Sequence, residues 1–355
     1  MEIANTTHEL MQEILHNFNI SALPEAIVPF GSGHINDTYR VVNAGGEDYL
    51  LQRINHQIFT DVQGMMGNIE AITAHIDQQI SAQMITDFET VKIYKSSAGS
   101  SYVLHKGGYW RLGEFKGHLH SYDLVENTTQ AFAGGQAFGR FFSLLSDFPA
   151  ERLTETLPNF HNIILRLESL KAATLNGIAD RIIQVKSSLD FIWKHAEAMS
   201  KIERAKQAGV LPIRVTHNDT KFNNVLLNAQ DQGVCVVDLD TVMPGLIHYD
   251  FGDGIRTATA TANEDETDLS LVSFDPEKYR AFEEGYRSFA APYLTEEEEK
   301  LLPYAGPLLA YIMGVRFLTD YISGDVYYKI KHEEHNLERA KNQLKLCNEL
   351  MKFCV

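Results

Sequence analysis

The sequence predicts an α+β fold of two lobes, an antiparallel sheet lobe over residues 1–116 and a mainly helical lobe over residues 117–355. Three observations predict it. Short apolar runs separated by glycine- and asparagine-bearing turns recur through the first third. Helical apolar spacing takes over from about residue 127. Between residues 215 and 241 an apolar strand, a polar loop and a hairpin interrupt the helices. A chain of 355 residues with 44% hydrophobic and 22% charged residues can fill two cores in a soluble globular protein.

In order, residues 6–18 read as an amphipathic helix with Leu10, Ile14 and Phe18 on one face. Pro24 and Pro29 bracket the apolar run Ala26, Ile27, Val28. Gly31, Ser32 and Gly33 permit a tight turn whose N–H groups can face an anion. Residues 38–42 and 49–54 continue as strands around a turn at 43–48. A helix is expected from residue 62 to about 79, burying Met66, Ile69, Ile72 and Ile76. Strands at 89–94, 101–105 and 109–115 complete the sheet. Strand, glycine loop, strand, turn and strand together resemble the small lobe of a kinase.

Residues 117–122 read as a connector, and His118 and His120 lack Cys or carboxylate partners at metal-ligand spacing. Helices are expected at 128–145, with Phe138, Phe141, Phe142 and Leu145 as a core stripe, and at about 175–207. Further helices are expected at 276–290, capped by Asp275 ahead of Pro276, and at 296–302, with a Thr295/Glu298 capping box. Residues 310–321 and 334–353 supply two more. His332 and His335 are three apart rather than four, so residues 331–335 read as a surface face and not a zinc motif.

A net charge of −16 argues against a nucleic-acid binder, which would usually carry a basic stripe. The 3 cysteines, Cys235, Cys347 and Cys354, show no paired spacing, which fits a reducing compartment. The first residues lack the basic and apolar segments of a secretory leader, and no apolar run approaches the roughly 20 residues that cross a bilayer. A cytoplasmic location is the expectation, with no nucleic-acid or membrane partner.

The chemistry sits in the loop His217, Asp219, Lys221, Asn224, with the spacing H-x-D-x-K-x-x-N, followed by the V-D-L-D run that holds Asp238. Phosphoryl transfer needs an attacking hydroxyl held in line, a group to accept its proton, and cations to hold the phosphate charge. Asp219 can accept the proton and Lys221 can neutralise the phosphate from the acceptor side. Asn224 and Asp238 offer hard oxygens to Mg²⁺. His217 reads as a loop buttress, with a histidine base as the alternative.

This loop with V-D-L-D resembles the catalytic core of the aminoglycoside phosphotransferase and choline kinase superfamily, which has a protein-kinase-like fold. Within it, residues 33–38, 217–227 with 238–245, 249–256 and 314–321 resemble the N-acetylhexosamine 1-kinase subgroup. The resemblance implies transfer of the ATP γ-phosphate to the anomeric hydroxyl of N-acetylglucosamine or N-acetylgalactosamine. It implies Asp219 as the base and Asn224 and Asp238 as Mg²⁺ ligands, with the Gly31–Ser32–Gly33 loop over the phosphates. Arg316 would contact the sugar, with Tyr321 and His34 as further candidates; a helical salt bridge from Arg316 to Asp320 is the plainer reading. The chain departs from the kinase pattern in one respect. The third strand carries no lysine for the nucleotide phosphates; Gln52 or Arg53 stands in that neighbourhood, and Glu70 could pair with Arg53. Other small hydroxylated acceptors, such as an aminoglycoside, choline or another sugar, and an inactive binding module are the competing readings.

Overall fold

The computed structural model describes residues 2–18, 20, 24–31, 35–44 and 46–355. Helix α1 (Glu2–Leu15) precedes strands β1 (Pro24–Pro29), β2 (Asp37–Asn43) and β3 (Tyr49–Ile54), helix α2 (Val62–Gln83), and strands β4 (Ile93–Tyr94), β5 (Val103–His105) and β6 (Gly108–Glu114). Helices α3 (Thr128–Leu144), α4 (Ile163–Asn176), α5 (Ala179–Gln184), α6 (Lys186–Met199) and α7 (Lys201–Gln207) follow. Four short strands come next: β7 (Arg214–Thr216), β8 (Val225–Leu227), β9 (Gly233–Val236) and β10 (Met243–Gly245). The chain ends in α8 (Ile247–Thr259), α9 (Pro276–Ala290), α10 (Glu296–Leu301), α11 (Ala305–Ser323) and α12 (His335–Cys354).

The small-lobe sheet runs β1-β2-β3-β6-β4, every pairing antiparallel, with β5 also on β6. Alternation along the strands divides its side chains between two covers. Tyr49, Leu51, Trp110 and Leu112 pack with Met11, Ile14, Leu15 and Phe18. Ile54 instead joins Met65, Met66, Ile69, Ile72 and Ile76 of α2 in the large core. Gln52 and Arg111 are paired in register and lie on this α2 side. Arg53 falls on the opposite face, 48% exposed and 3.8 Å from Asp37.

Buried Asn68 of α2 ties the lobes together. Its Nδ2 donates to Thr154 O at 2.8 Å and Val242 O at 2.9 Å, and its Oδ1 accepts the Thr154 N–H at 2.8 Å. In the large lobe α3 and α9 cross at glycines. A Cβ on Gly135 would overlap the Phe282 carbonyl oxygen, and one on Gly285 the Phe132 carbonyl oxygen. Both expected caps form: Asp275 accepts the Glu277 and Lys278 N–H groups, and Thr295 and Glu298 make the reciprocal box.

Several boundaries depart from the sequence reading. The strand expected at 89–94 shrinks to Ile93–Tyr94, because Glu89 N–H donates to Val234 O of β9 at 2.9 Å instead of joining the sheet. The single helix expected over 175–207 is broken into the end of α4 followed by α5, α6 and α7. Gly177 caps α4 against α11, where a Cβ would lie 2.7 Å from Ile322 O, and Ser200 separates α6 from α7 with its hydroxyl on Ala196 O. His335, expected on a surface face, is buried at the start of α12. The stretch Glu296–Ser323 is long and apolar enough by composition to cross a membrane, contrary to expectation, but 72% of its most apolar window is buried inside the protein, as a core helix is. All 3 cysteines are free.

Candidate active site

The catalytic loop is held from three sides. In front, β7 pairs with β10, setting Thr216 opposite Met243. Behind, α8 supplies Asp250, whose two carboxylate oxygens accept the His217 and Asn218 N–H groups at 2.7 Å each. Asn218 takes a left-handed conformation (φ +64°), which asparagine tolerates, and its Nδ2 donates to Thr241 O at 3.0 Å. His217 is fully buried; its Nε2 donates to Val237 O at 2.8 Å, so Nδ1 accepts the Asp219 N–H at 3.3 Å. That arrangement makes His217 a strut between the loop and the strand that delivers Asp238. The buttress reading fits it and the base reading does not.

Asp219 lies 3.0 Å from Lys221 Nζ. Burial pushes its carboxyl up, but Lys221 and His217 outweigh that and hold it below the ordinary value. It is therefore an ionised acceptor at neutral pH. Asp219 in turn raises the Lys221 ammonium against the opposing effect of burial. Asn224 donates Nδ2 to Asp219 O at 2.8 Å, and its Oδ1 accepts no hydrogen bond among the described residues.

The β8–β9 hairpin returns the chain to this loop, with Val237 N–H on Asn224 O at 2.9 Å. Asp238 then takes φ +59°, in the left-handed region. The protein packed round it, then the charges of Asp240 and Asp219, push its carboxyl up to about 7. Carboxylates crowded in this way suit a divalent cation. Among the described residues no three His, Cys, Asp or Glu side chains form a closed metal cage. Mg²⁺ does not require one, since it takes one or two carboxylates and completes its shell with waters and phosphate oxygens. Asn224 Oδ1 and Asp238 fit that requirement.

Of the residues expected at the nucleotide, Gly31 is exposed with φ +77°, a turn conformation that suits glycine. Ser32 and Gly33 lie outside the described residues, as does His34 on the acceptor side. Gln52 is the inward residue of β3, donating Nε2 to Thr38 Oγ1 at 3.2 Å, and Arg53 points away. The Glu70–Arg53 pair does not form. The turn of α2 that carries Glu70 faces the loop after β4, and Lys95 Nζ lies 2.5 Å from its carboxylate.

A residue the sequence reading missed occupies the inward face instead. Arg111 of β6 is 4% exposed and donates Nε to Gln52 Oε1 at 2.9 Å, and its Nη1 pairs with Asp240. Asp240 also accepts Asn36 Nδ2 at 2.7 Å, so this second carboxylate of V-D-L-D joins the large lobe to the sheet and its first turn. No local motif signals it, because Arg111 and Asp240 are 129 residues apart.

On the acceptor side, Arg316 stacks over Phe160, Tyr328 and Tyr327 at 5.2, 5.5 and 5.9 Å. It makes no salt bridge with Asp320, whose carboxylate accepts the N–H groups of Val326, Tyr327 and Tyr328. Nearby His161 is 6% exposed, donates Nε2 to Asn218 O at 3.1 Å, and has a buried Nδ1 without a partner. Burial, with the charges of Arg316 and Arg166, lowers it to about 3, so it is neutral. Arg166 donates Nη2 to Phe160 O at 2.8 Å. Neither Arg316 nor Arg166 has a carboxylate within ion-pair distance among the described residues. Tyr321 does not join this group: its hydroxyl donates to Gln184 of α5 at 2.6 Å and its ring lies under Arg181. Asp253 and Arg256, one turn beyond Asp250, pair at 2.8 Å in the buried floor, and Arg256 adds to the field that keeps Asp219 ionised.

The phosphotransferase enzyme family matches residues 26–282. The chain belongs to that family. Among solved structures, this phosphotransferase is similar to an aminoglycoside phosphotransferase from Alicyclobacillus acidocaldarius, with 12% identity, TM-score 0.61, and coverage of 97% of this chain and 96% of that one. A microcompartment-associated aminopropanol kinase matches at 15% identity, TM-score 0.61, and 98% and 97% coverage. An amicoumacin kinase in complex with AMP-PNP, Ca²⁺ and Ami matches at 14% identity, TM-score 0.57, and 97% and 96% coverage. These likenesses establish the kinase-like fold, with an antiparallel sheet lobe and a helical part.

Proposed function

We propose that this phosphotransferase transfers the ATP γ-phosphate to the anomeric hydroxyl of an N-acetylhexosamine, GlcNAc or GalNAc, giving the sugar 1-phosphate. Asp219 takes the proton of the hydroxyl. The acceptor oxygen bonds to the γ-phosphorus as the bond to the β–γ bridging oxygen breaks, and ADP leaves. Lys221 holds charge on the transferring group from the acceptor side. Mg²⁺, held by Asn224 and Asp238, would supply charge neutralisation on the phosphate oxygens. The small lobe, taken as residues 1–116, covers the nucleotide through the turn at Gly31 to Gly33, with Gln52 inward. The amicoumacin kinase complex, with AMP-PNP and a divalent cation, supports the nucleotide and metal classes.

The observation that carries the acceptor assignment is the pair Arg316 and Arg166, neither neutralised by a carboxylate among the described residues, both in electrostatic reach of the neutral His161, which Asp219 also reaches. Two such cations repel a polycationic aminoglycoside or choline. They suit an oxygen-rich sugar whose hydroxyl and acetamido oxygens can meet donors, and Arg316 is the residue through which the family resemblance reaches the sugar. ADP release measured across a panel of GlcNAc, GalNAc, glucose, choline, kanamycin and aminopropanol tests this. Turnover is expected with the N-acetylhexosamines and reduced at least tenfold in Arg316→Ala. Turnover with a cationic acceptor, and none with either N-acetylhexosamine, would overturn it.

A further inference from the structure

A kinase-type small lobe takes its phosphate-binding cation from the third strand, where a glutamate on the following helix holds it. Here neither half of that device exists. The inward residue of β3 is the neutral Gln52, and Glu70 of α2 is taken by Lys95. The other described cations of the lobe are also engaged elsewhere or face outward. Arg40 pairs with Asp48, Lys106 with Glu13, and Lys116 with Glu89 and Glu114. Lys92 lies over Tyr94, and Arg53 faces outward.

Arg111 differs from all of them. It stands directly opposite Gln52 in the β3–β6 register, one strand over on the same inward face. Its guanidinium spans the positions that a lysine, a helix residue and a metal-site aspartate would connect. Nε reaches Gln52, and Nη1 reaches Met66 Sδ of α2 at 3.8 Å and Asp240, two residues after the metal candidate Asp238. Asn36, from the chain that follows the Gly31 turn, bonds the same Asp240 carboxylate at 2.7 Å, which brings that chain to the guanidinium. Nη2 has no hydrogen-bond partner among the described residues, and it is not one of the sealed, unpartnered polar atoms. A planar guanidinium can hold a carboxylate along one edge and an oxyanion along another, which an ammonium on a flexible stem does not do. Burying an ion pair at 5% and 3% side-chain exposure is also a poor way to gain stability, because desolvation offsets the attraction.

We propose that Arg111 is the cation this lobe presents to the nucleotide polyphosphate, held by Asp240 in place of the missing helix glutamate. This rests on the reading that a nucleoside triphosphate binds between the lobes. Calorimetric titration of the full chain with adenosine and with ADP, for wild type, Arg111→Met and Arg111→Lys, tests it. In Arg111→Met, adenosine affinity is expected within about twofold of wild type, while ADP affinity falls at least tenfold and the KM for ATP rises with it. Arg111→Lys keeps charge but not the fork, and its ADP-to-adenosine affinity ratio is expected to fall at least threefold; this variant carries the test alone if Arg111→Met does not fold. Equal losses for adenosine and ADP would show a purely structural role and overturn the proposal, as would an unchanged ratio in both variants. Wild type binding neither ligand would instead sink the underlying reading of the site.

Discussion

Asp250→Asn separates what holds the catalytic loop in shape from what holds the protein together. The native carboxylate accepts two N–H groups at 2.7 Å, and hydrogen bonds to a charged group contribute roughly 1.5–3 kcal/mol each. Asparagine keeps one acceptor oxygen and turns an NH₂ towards the other N–H. One bond is lost and the survivor becomes neutral, a loss of about 2–4 kcal/mol on that scale. Asp250 is 8% exposed, and burial pushes its carboxyl up to about 6 despite the two donors and the neighbouring His217. Ionising it inside the protein therefore costs about 3 kcal/mol more than in water at 1.36 kcal/mol per pH unit, a cost the amide avoids. That cost is already net of the two N–H bonds, so it and the bond loss are not separate terms to be set against each other, and global stability is expected to change by no more than about 3 kcal/mol. The loop geometry has no such compensation. The Asn218 peptide beside Asp219 loses its anchor, and a displacement of about 1 Å at a reacting group can lower turnover about 10²-fold. Urea denaturation and kcat on the same preparation check both halves. A kcat within twofold of wild type in a folded variant would refute the claim that Asp250 sets the loop.

Asp219→Asn is expected to lower kcat by roughly 10²–10⁴, the range for a general base, with ADP affinity measured by calorimetry unchanged. Unaltered turnover would remove Asp219 from the mechanism. Gly135→Ala drives a methyl into the Phe282 carbonyl where α3 meets α9, and should destabilise by roughly 1–3 kcal/mol or more in denaturant melts. Gly67→Ala, in α2 with nothing within 4 Å of the new Cβ, should stabilise by about 0.5–1 kcal/mol through helix propensity. His161 is neutral when folded, at about 3 against 6.5 for the ordinary histidine. The unfolded chain therefore takes up the proton first as pH falls, and the stability held above pH 6.5 drains away towards pH 3. Between about pH 6 and pH 4, wild type should lose about 1.4 kcal/mol per pH unit relative to His161→Gln. Parallel stability curves for the two would show that His161 titrates normally.

The legible parts of the site are those the chain builds locally. Asp219, Lys221 and Asn224 share one loop, and the hairpin that returns Asp238 is signalled by the turn between β8 and β9, so spacing alone brings them together. The caps at Asp275 and Thr295 were legible for the same reason. Pairings set by the phase of a helix or by another strand were not. Glu70 reads as a partner for β3, but the actual rotation of α2 turns it to Lys95. Arg111 reads as one polar position in a sheet strand, and only the β3–β6 register reveals that it stands opposite Gln52 and reaches Asp240. The helices after residue 163 were blurred because Gly177 and Ser200 interrupt an otherwise helical pattern, and Gly177 acts through contact with distant Ile322 of α11. Arg316 reads locally as a partner for Asp320, whereas its aromatic cage comes from Phe160 and the segment after α11, which no local pattern joins. Tyr321 is one turn further along the same helix and faces α5.

Phosphorus NMR of the reaction with ATP, Mg²⁺ and N-acetylglucosamine or N-acetylgalactosamine decides whether an anomeric hydroxyl accepts the phosphate. A new phosphomonoester resonance coupled to the anomeric proton is expected, appearing with ADP and missing in Asp219→Asn. A phosphomonoester at another carbon would contradict the anomeric assignment, and ATP left unchanged with both sugars would contradict an N-acetylhexosamine acceptor altogether.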